Sequence, residues 1–282
     1  MKTYHKSETL KKALAPFFKN NKKVGFVPTM GALHLGHMSL VERALQENDC
    51  VVVSIFVNPT QFNNVEDLEK YPKTLESDVA LLKKISNQII VFNPNAIEVY
   101  QNNIASKRYR FGGIEHEMEG KHRAGHFDGV GTVLDKLFRI VTPTYAYFGE
   151  KDFQQLQIVK KLVEIESLPV SIIGCPIIRE KNGLAMSSRN KRLTETQKNE
   201  AALIFKTLSE VLKKFNAHSI SELNKFVIET FKNHPELDLE YFEIANSKTL
   251  KTAKRKRKNN SYRAFIAIFA GSVRLIDNFA LN

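Results

Sequence analysis

The chain has 282 residues, 43% of them apolar and 26% charged. That composition excludes disorder over most of the length, and a chain of this size can bury a core without a disulfide scaffold. The 42 basic and 30 acidic residues give a net charge of +12, and half of that excess sits in Lys251, Lys254, Arg255, Lys256, Arg257 and Lys258, so it does not by itself argue for a nucleic-acid partner.

Leu10, Leu14, Phe17 and Phe18 are expected in the core. The pattern then predicts a strand over 22–28, with Val24, Phe26 and Val27. A helix over 37–48 follows, with Met38, Leu40, Val41, Ala44 and Leu45 at helical spacing. The strand predicted over 50–57 is apolar almost throughout, as suits a parallel strand buried on both faces. Further on come a helix over 74–86 (Leu75, Val79, Leu82, Ile85), a strand over 88–92, a helix over 129–141, a strand over 145–148, a helix over 153–166 and a strand over 169–174. This alternation implies an α/β fold, a doubly wound Rossmann-like parallel sheet, over 1–175. After Arg189 the order changes. Helices over 194–215 and 219–232 precede strands over 237–245, 262–269 and 273–276, a smaller α+β C-terminal domain over 176–282. The changeover is placed near Cys175-Pro176.

The two cysteines, Cys50 and Cys175, lie in strand-like apolar segments and are expected as buried thiols; no CxxC pair is present. No apolar run approaches the roughly 20 residues of a membrane span, and positions 1–6 lack the apolar core of a signal peptide. A cytoplasmic location without a membrane partner is the expectation. The basic run reads as a solvated loop, because a nucleic-acid surface would interleave aromatic residues and only Tyr262 is near.

Neither GxxxxGK[ST] nor a GxGxxG after the first strand occurs, so P-loop hydrolysis and dinucleotide chemistry lose their best support. The first strand runs instead into Pro28-Thr29-Met30-Gly31-Ala32-Leu33-His34-Leu35-Gly36-His37. His34 and His37, three apart, fall on one side of a first helical turn whose free N–H groups attract anions. Gly36 allows close approach to the backbone. Two imidazoles at a helix start make a phosphate site. A second loop, Met186-Ser187-Ser188-Arg189, offers hydroxyls and a cation. The pairing of HxGH with such a loop marks the nucleotidyltransferases that form adenylates.

The chain further resembles the pantothenate synthetase (pantoate–β-alanine ligase) family over 28–37, 56–62, 119–138, 148–156, 179–190 and 274–278, in order and across most of the length. It departs from the family's usual pattern at Ala124 and at Ile177-Ile178. The resemblance implies an AMP-forming ligase that joins pantoate to β-alanine through pantoyl adenylate. It implies that Met30, Gly31, Ala32, Leu33, His34, Leu35, Gly36, His37, Gly149, Glu150, Lys151, Asp152, Ile178, Met186, Ser187, Ser188 and Arg189 face ATP. Among these His37, His34, Lys151 and Arg189 would act on the transferring group. Gln61 and Gln155 would hold pantoate, and Gln61 also β-alanine. ATP is then a substrate, Mg²⁺ enters with the nucleotide rather than in a dedicated protein cage, and the assembly is a homodimer. His116, Glu117, Glu119, His122 and His126 resemble a metal cluster only on paper, their spacing being irregular. Asn58 and Tyr71-Pro72 suit either substrate contact or loop ordering. A tRNA-handling enzyme with the same HxGH element, and a basic-patch binder centred on 251–258, stand as alternative classes.

Overall fold

Six short strands pair in parallel to form the larger sheet: β1 (Lys2–Tyr4), β2 (Val24–Thr29), β3 (Cys50–Ile55), β4 (Ile90–Phe92), β5 (Tyr145–Gly149) and β6 (Ser171–Cys175), in the order β1-β4-β3-β2-β5-β6. The structure is a computed structural model and describes residues 1–62, 68–69, 71–101 and 103–282. Every residue of β3 is buried, as its nearly continuous apolar run, broken by Ser54 alone, requires of a strand covered on both faces. Register runs from Val24 opposite Cys50 to Thr29 opposite Ile55. From β2 the chain steps to β3 on one side, while β5 pairs with β2 on the other. That reversal is the switch point at which open α/β sheets bind ligands, outside the carboxyl ends of the strands.

The helices that precede the second sheet are, in chain order, α1 (Ser7–Lys19), α2 (Leu35–Glu47), α3 (Leu75–Ile85), α4 (Ala96–Tyr100), α5 (Glu119–His122), α6 (His126–Val141) and α7 (Phe153–Ile165). The α/β expectation holds, with differences at several points: α4 and α5 are short helices that the sequence pattern does not predict. β1 and α1 extend the fold at the N-terminal side, where the sequence pattern predicts no element. Phe18 is 39% exposed rather than in the core, whereas Leu10 and Leu14 are fully buried. At 100° per residue Phe18 lies about 80° round from Leu10, past the stripe that Leu10, Leu14 and Phe17 share. Cys50 and Cys175 are free and buried. Burial pushes the Cys50 thiol up to about 11.

Contacts divide the chain into two units. The first comprises Met1–Glu115, Arg123–Glu150 and Gln155–Pro176; the second comprises His116–His122, Lys151–Gln154 and Ile177–Asn282. Two short segments from the first half thus group with the second unit. That unit is built on the antiparallel strands β7 (Leu237–Asn246), β8 (Tyr262–Ala270) and β9 (Val273–Ala280), in that order, with helices α8 (Glu195–Lys214) and α9 (Ile220–Lys232). Both helices start in capping boxes, Thr194 with Gln197 and Ser219 with Glu222. Their apolar faces form one core with the sheet, through Ile204, Leu208, Val211, Leu223, Val227, Ile244, Ile266 and Ile268.

The basic run lies between β7 and β8, and Lys254 to Lys258 are exposed. Lys256 departs from a purely solvated role. Its ammonium donates to the Phe215 carbonyl at the end of α8 and lies 4.7 Å from the Phe215 ring centroid. The Tyr262 hydroxyl accepts the Arg257 N–H at 2.7 Å and so fixes the base of the loop. Among the described residues no helix is long and apolar enough to cross a membrane.

Candidate active site

Past β2 the backbone turns sharply, the Gly31 N–H donating to the Thr29 hydroxyl at 3.2 Å. Gly31 and Ala32 both have positive φ, 84° and 49°, and αL costs an alanine about 1 kcal/mol. The turn is held from outside by Asp78 on α3. Its carboxylate accepts the N–H of Ala32 at 3.0 Å and of Leu33 at 2.8 Å, and the Thr74 hydroxyl at 3.1 Å. Asp78 is 1% exposed. Sequence reasoning misses it, yet a signal is there: Asp78 stands on the stripe of Leu75, Leu82 and Ile85, where an acid needs buried donors.

The turn delivers His34 to the N-cap of α2. Its Nδ1 accepts the Gly36 N–H at 3.1 Å, while the His34 N–H donates to Nδ1 of His37 at 3.3 Å. The two rings lie 4.0 Å apart, centroid to centroid. With both Nδ1 atoms accepting, each neutral imidazole carries its proton on Nε2. Both residues are part-exposed and stand at a helix N-terminus. Ala32 and Leu33 are buried, and their amides are already given to Asp78. Leu35 is 64% exposed.

Gln61 ends the short turn Pro59–Gln61 after β3. Asn58 donates to its Oε1 at 3.2 Å, and its Nε2 points at the Met30 sulfur at 2.7 Å. Asn58 is 1% exposed and also donates to the Gly129 carbonyl at 3.2 Å. It therefore orders the loop, the second of its two sequence readings. His126 hydrogen-bonds the Gln61 carbonyl at 2.9 Å. α6 approaches this turn so closely that a Cβ on Gly129 would stand 2.4 Å from the Thr60 oxygen. Met30, His34, His37 and Gln61 thus share the carboxyl edge of β2 and β3 in the first unit.

β5 ends at Gly149 and runs into the turn Glu150–Asp152. The Lys151 side chain is 18% exposed, its ammonium 4.0 Å from Asp152. Of the adjacent glutamines, Gln154 is buried and accepts the Glu119 N–H at 3.0 Å while donating to the Glu117 carbonyl at 2.7 Å. Gln155 is part-exposed and belongs to the first unit.

In the second unit, Ile178 and Met186 face each other across a hairpin. The Met186 N–H donates to the Ile178 carbonyl at 3.0 Å, and Glu180 pairs with Leu184. Ser187 caps the turn Ser188–Arg192, accepting the Arg189 N–H at 3.3 Å. Ser188 is buried, while Ser187 and Arg189 are part-exposed. The hairpin's root is Arg179. It makes two hydrogen bonds to Asp277, 2.6 and 3.0 Å, and its guanidinium lies 4.8 and 4.9 Å from the ring centroids of Phe205 and Phe279, which touch each other.

The segment that resembled a metal cluster is an ion-pair network instead. Arg274 holds Glu119 with two hydrogen bonds, 2.8 and 2.7 Å, and reaches Glu240 at 2.9 Å. Burial opposes the Arg274 charge, and the two carboxylates more than offset it, so its pKa lies above the usual arginine value. The Tyr241 hydroxyl donates to Glu119 at 2.7 Å; burial and that carboxylate push its pKa well up. His126 lies in the other unit. Among the described residues no group of three or more His, Cys, Asp or Glu side chains is placed to hold a metal ion.

A parallel sheet with a helix start at its switch point defines the class of Rossmann-like α/β proteins, which bind ligands there. The family profile described as Pantoate-beta-alanine ligase matches residues 2–280. Pantothenate synthetase of Flavobacterium psychrophilum is 55% identical over 279 residues, covering 99% of each chain, and that of Christiangramia forsetii is 52% identical over 282 residues, covering 100% of each. The crystal structure of pantothenate synthetase from Thermus thermophilus superposes with a TM-score of 0.91 at 38% identity, covering 100% of this chain and 99% of that one. That of pantoate-beta-alanine ligase from Francisella tularensis, complexed with beta-gamma ATP and beta-alanine, gives 0.82 at 38% identity, covering 100% and 98%. The chain belongs to the pantoate–β-alanine ligase family.

Proposed function

We propose that the protein joins pantoate to β-alanine in two steps, with ATP as the activating substrate. In the first, a pantoate carboxylate oxygen attacks the α-phosphorus, the bond to the β-phosphate oxygen breaks, and pyrophosphate leaves pantoyl adenylate behind. In the second, the β-alanine nitrogen attacks the activated carbonyl carbon, the carbon–oxygen bond to phosphate breaks, the nitrogen loses a proton, and pantothenate and AMP leave. Neither step needs a covalent protein nucleophile. The protein aligns reactants and stabilises charge on phosphorus and then on the tetrahedral carbon.

The observation that carries this reading is the His34–His37 arrangement, in which both Nδ1 atoms accept backbone N–H groups at the start of the helix that follows β2. His37 is taken as the donor to the transferring group and His34 as its neighbour on the phosphates. Lys151 and Arg189 neutralise phosphate charge; Met30 to His37, Gly149 to Asp152, Ile178 and Met186 to Arg189 line ATP. Gln61 and Gln155 hold pantoate, Gln61 also β-alanine. A neutral amide can serve both a hydroxyl and a carboxylate. Mg²⁺ accompanies the nucleotide and adds positive charge there, held by phosphates and water. The reading includes a cytoplasmic homodimer acting on small molecules, with no nucleic-acid partner.

The test is ATP–pyrophosphate exchange with pantoate supplied and β-alanine omitted. Exchange under those conditions is expected. Exchange that requires β-alanine removes the stepwise mechanism, and exchange driven by an amino acid and tRNA replaces the substrate assignment.

A further inference from the structure

Strand β9 sends polar side chains out of its own sheet. Asp277 is 4% exposed and Asn278 2%. Asp277 grips Arg179 at the root of the Ile178–Met186 hairpin, and Arg179 in turn donates to the Gly183 carbonyl at 3.0 Å. The same carboxylate accepts the Asn278 N–H at 2.8 Å. The Asn278 carboxamide has a separate partner at each end. Its oxygen accepts from the Arg263 guanidinium, and its Nδ2 donates to the backbone carbonyl of Lys151 at 2.9 Å. Arg263 can only donate, so it fixes which end of the amide faces Lys151.

We propose that Asn278 is a positioning residue for adenylation, acting through Lys151; this rests on Lys151 being the phosphate-neutralising cation. Lysine is a compact charge on a flexible stem. Where its ammonium can reach depends on where its Cα is held. Lys151 sits in a three-residue turn between a strand and a helix, and Asn278 ties the carbonyl of that turn to β9. Asp277 sets the backbone of Asn278 while holding the hairpin that leads to Ser187 and Arg189. One dipeptide therefore fixes the roots of two of the cationic segments assigned to the nucleotide.

The test is a double-mutant cycle on pantoate-dependent ATP–pyrophosphate exchange, with Asn278→Asp made in the parent enzyme and in Lys151→Ala. The aspartate keeps an acceptor for Arg263 but turns an oxygen toward the Lys151 carbonyl. In the parent, Asn278→Asp is expected to lower exchange kcat about tenfold or more, with KM for pantoate within about twofold. In Lys151→Ala, where the backbone carbonyl persists, the same change should alter the residual rate by less than about twofold. Equal losses in both backgrounds, or no loss in the parent, overturn the proposal. A Lys151→Ala enzyme with full exchange activity instead overturns the assignment of Lys151, a result distinct from either. Should Asn278→Asp not fold, Asn278→Ala runs through the same cycle with the same criteria.

Discussion

The N–H of His34 donates to Nδ1 of His37, three residues on, and the two rings lie face to tilted face. Each histidine thereby serves the helix start with its Nδ1 and carries its proton on Nε2. Replacing His37 with alanine should remove an oriented donor and lower turnover about 10²–10³-fold. The loss should fall on adenylation, so supplying preformed pantoyl adenylate should restore much of the rate. Losing the His37 half of the capping box, which accepts the His34 N–H, should also cost up to about 1 kcal/mol of stability, read from denaturant melts. A variant equally slow on the preformed intermediate would show His37 to act elsewhere.

Asp78 should matter to ATP although it is buried under the turn. Asp78→Ala leaves the amides of Ala32 and Leu33 without an acceptor, at roughly 1–3 kcal/mol each. We expect a lower melting temperature together with a raised KM for ATP, and an intermediate effect for Asp78→Asn, which retains one acceptor oxygen. A destabilised variant with unchanged ATP kinetics would separate the turn from nucleotide binding.

Gly129→Ala introduces a methyl group against the Thr60 carbonyl. Either α6 or the Pro59–Gln61 turn must move. The expected result is weaker pantoate binding, similar in direction to Gln61→Ala, with ATP affinity spared. Titration calorimetry with pantoate measures it; unchanged affinity in both variants would take Gln61 out of the pantoate pocket.

The basic loop divides into two classes of residue. Changing Lys254, Arg255, Arg257 and Lys258 together to glutamine should leave turnover and KM for ATP within about twofold, since charges beyond the Debye length of about 8 Å are screened. Lys256→Gln should instead lower stability by about 0.3–1 kcal/mol, because it loses a cation at the end of α8. A tenfold loss of pantothenate formation in the folded fourfold variant would place the loop at the active site.

Burial raises both thiols, Cys50 to about 11. At pH 8 the folded Cys50 is then about one part in a thousand thiolate. Iodoacetamide should leave the native protein unmodified and label both cysteines in urea. A raised pKa means the folded state holds its proton more tightly. Its contribution to stability is complete below the ordinary value of 9.0 and fades as pH rises toward about 11. Rapid labelling of the native protein would contradict the buried placement.

The parallel sheet was legible because its central strands are mostly apolar and its helices carry regular stripes. β1 was not: Lys2–Tyr4 has no apolar run and owes its place to pairing with β4, 88 residues away in register at Lys2 and Ile90. His34, His37 and the Ser187–Arg189 loop could be picked out because their neighbours in sequence are their neighbours in space. Their supports could not. Asp78 lies 46 residues from Ala32 and Asn278 127 residues from Lys151, and no local pattern reports such a pairing. Asn58 and Gln154 show the same limit from the other side. In sequence each resembles its more exposed neighbour, and only burial shows both of its hydrogen-bonding ends occupied.

The segment Lys151–Gln154 has a consequence for modularity. Phe153 lies 3.9 Å under the Arg263 guanidinium and edges Phe265, and Gln154 is satisfied by Glu117 and Glu119. A polypeptide ending at Pro176 would keep these residues in its sequence and lose Arg263 and Phe265, baring an aromatic ring at the head of α7. The second unit is therefore not a detachable appendage. To transplant it onto another parallel-sheet scaffold, by recombination or by protein engineering, the recipient would need two matching inserts, equivalent to 116–122 and 151–154, already threaded through its own chain.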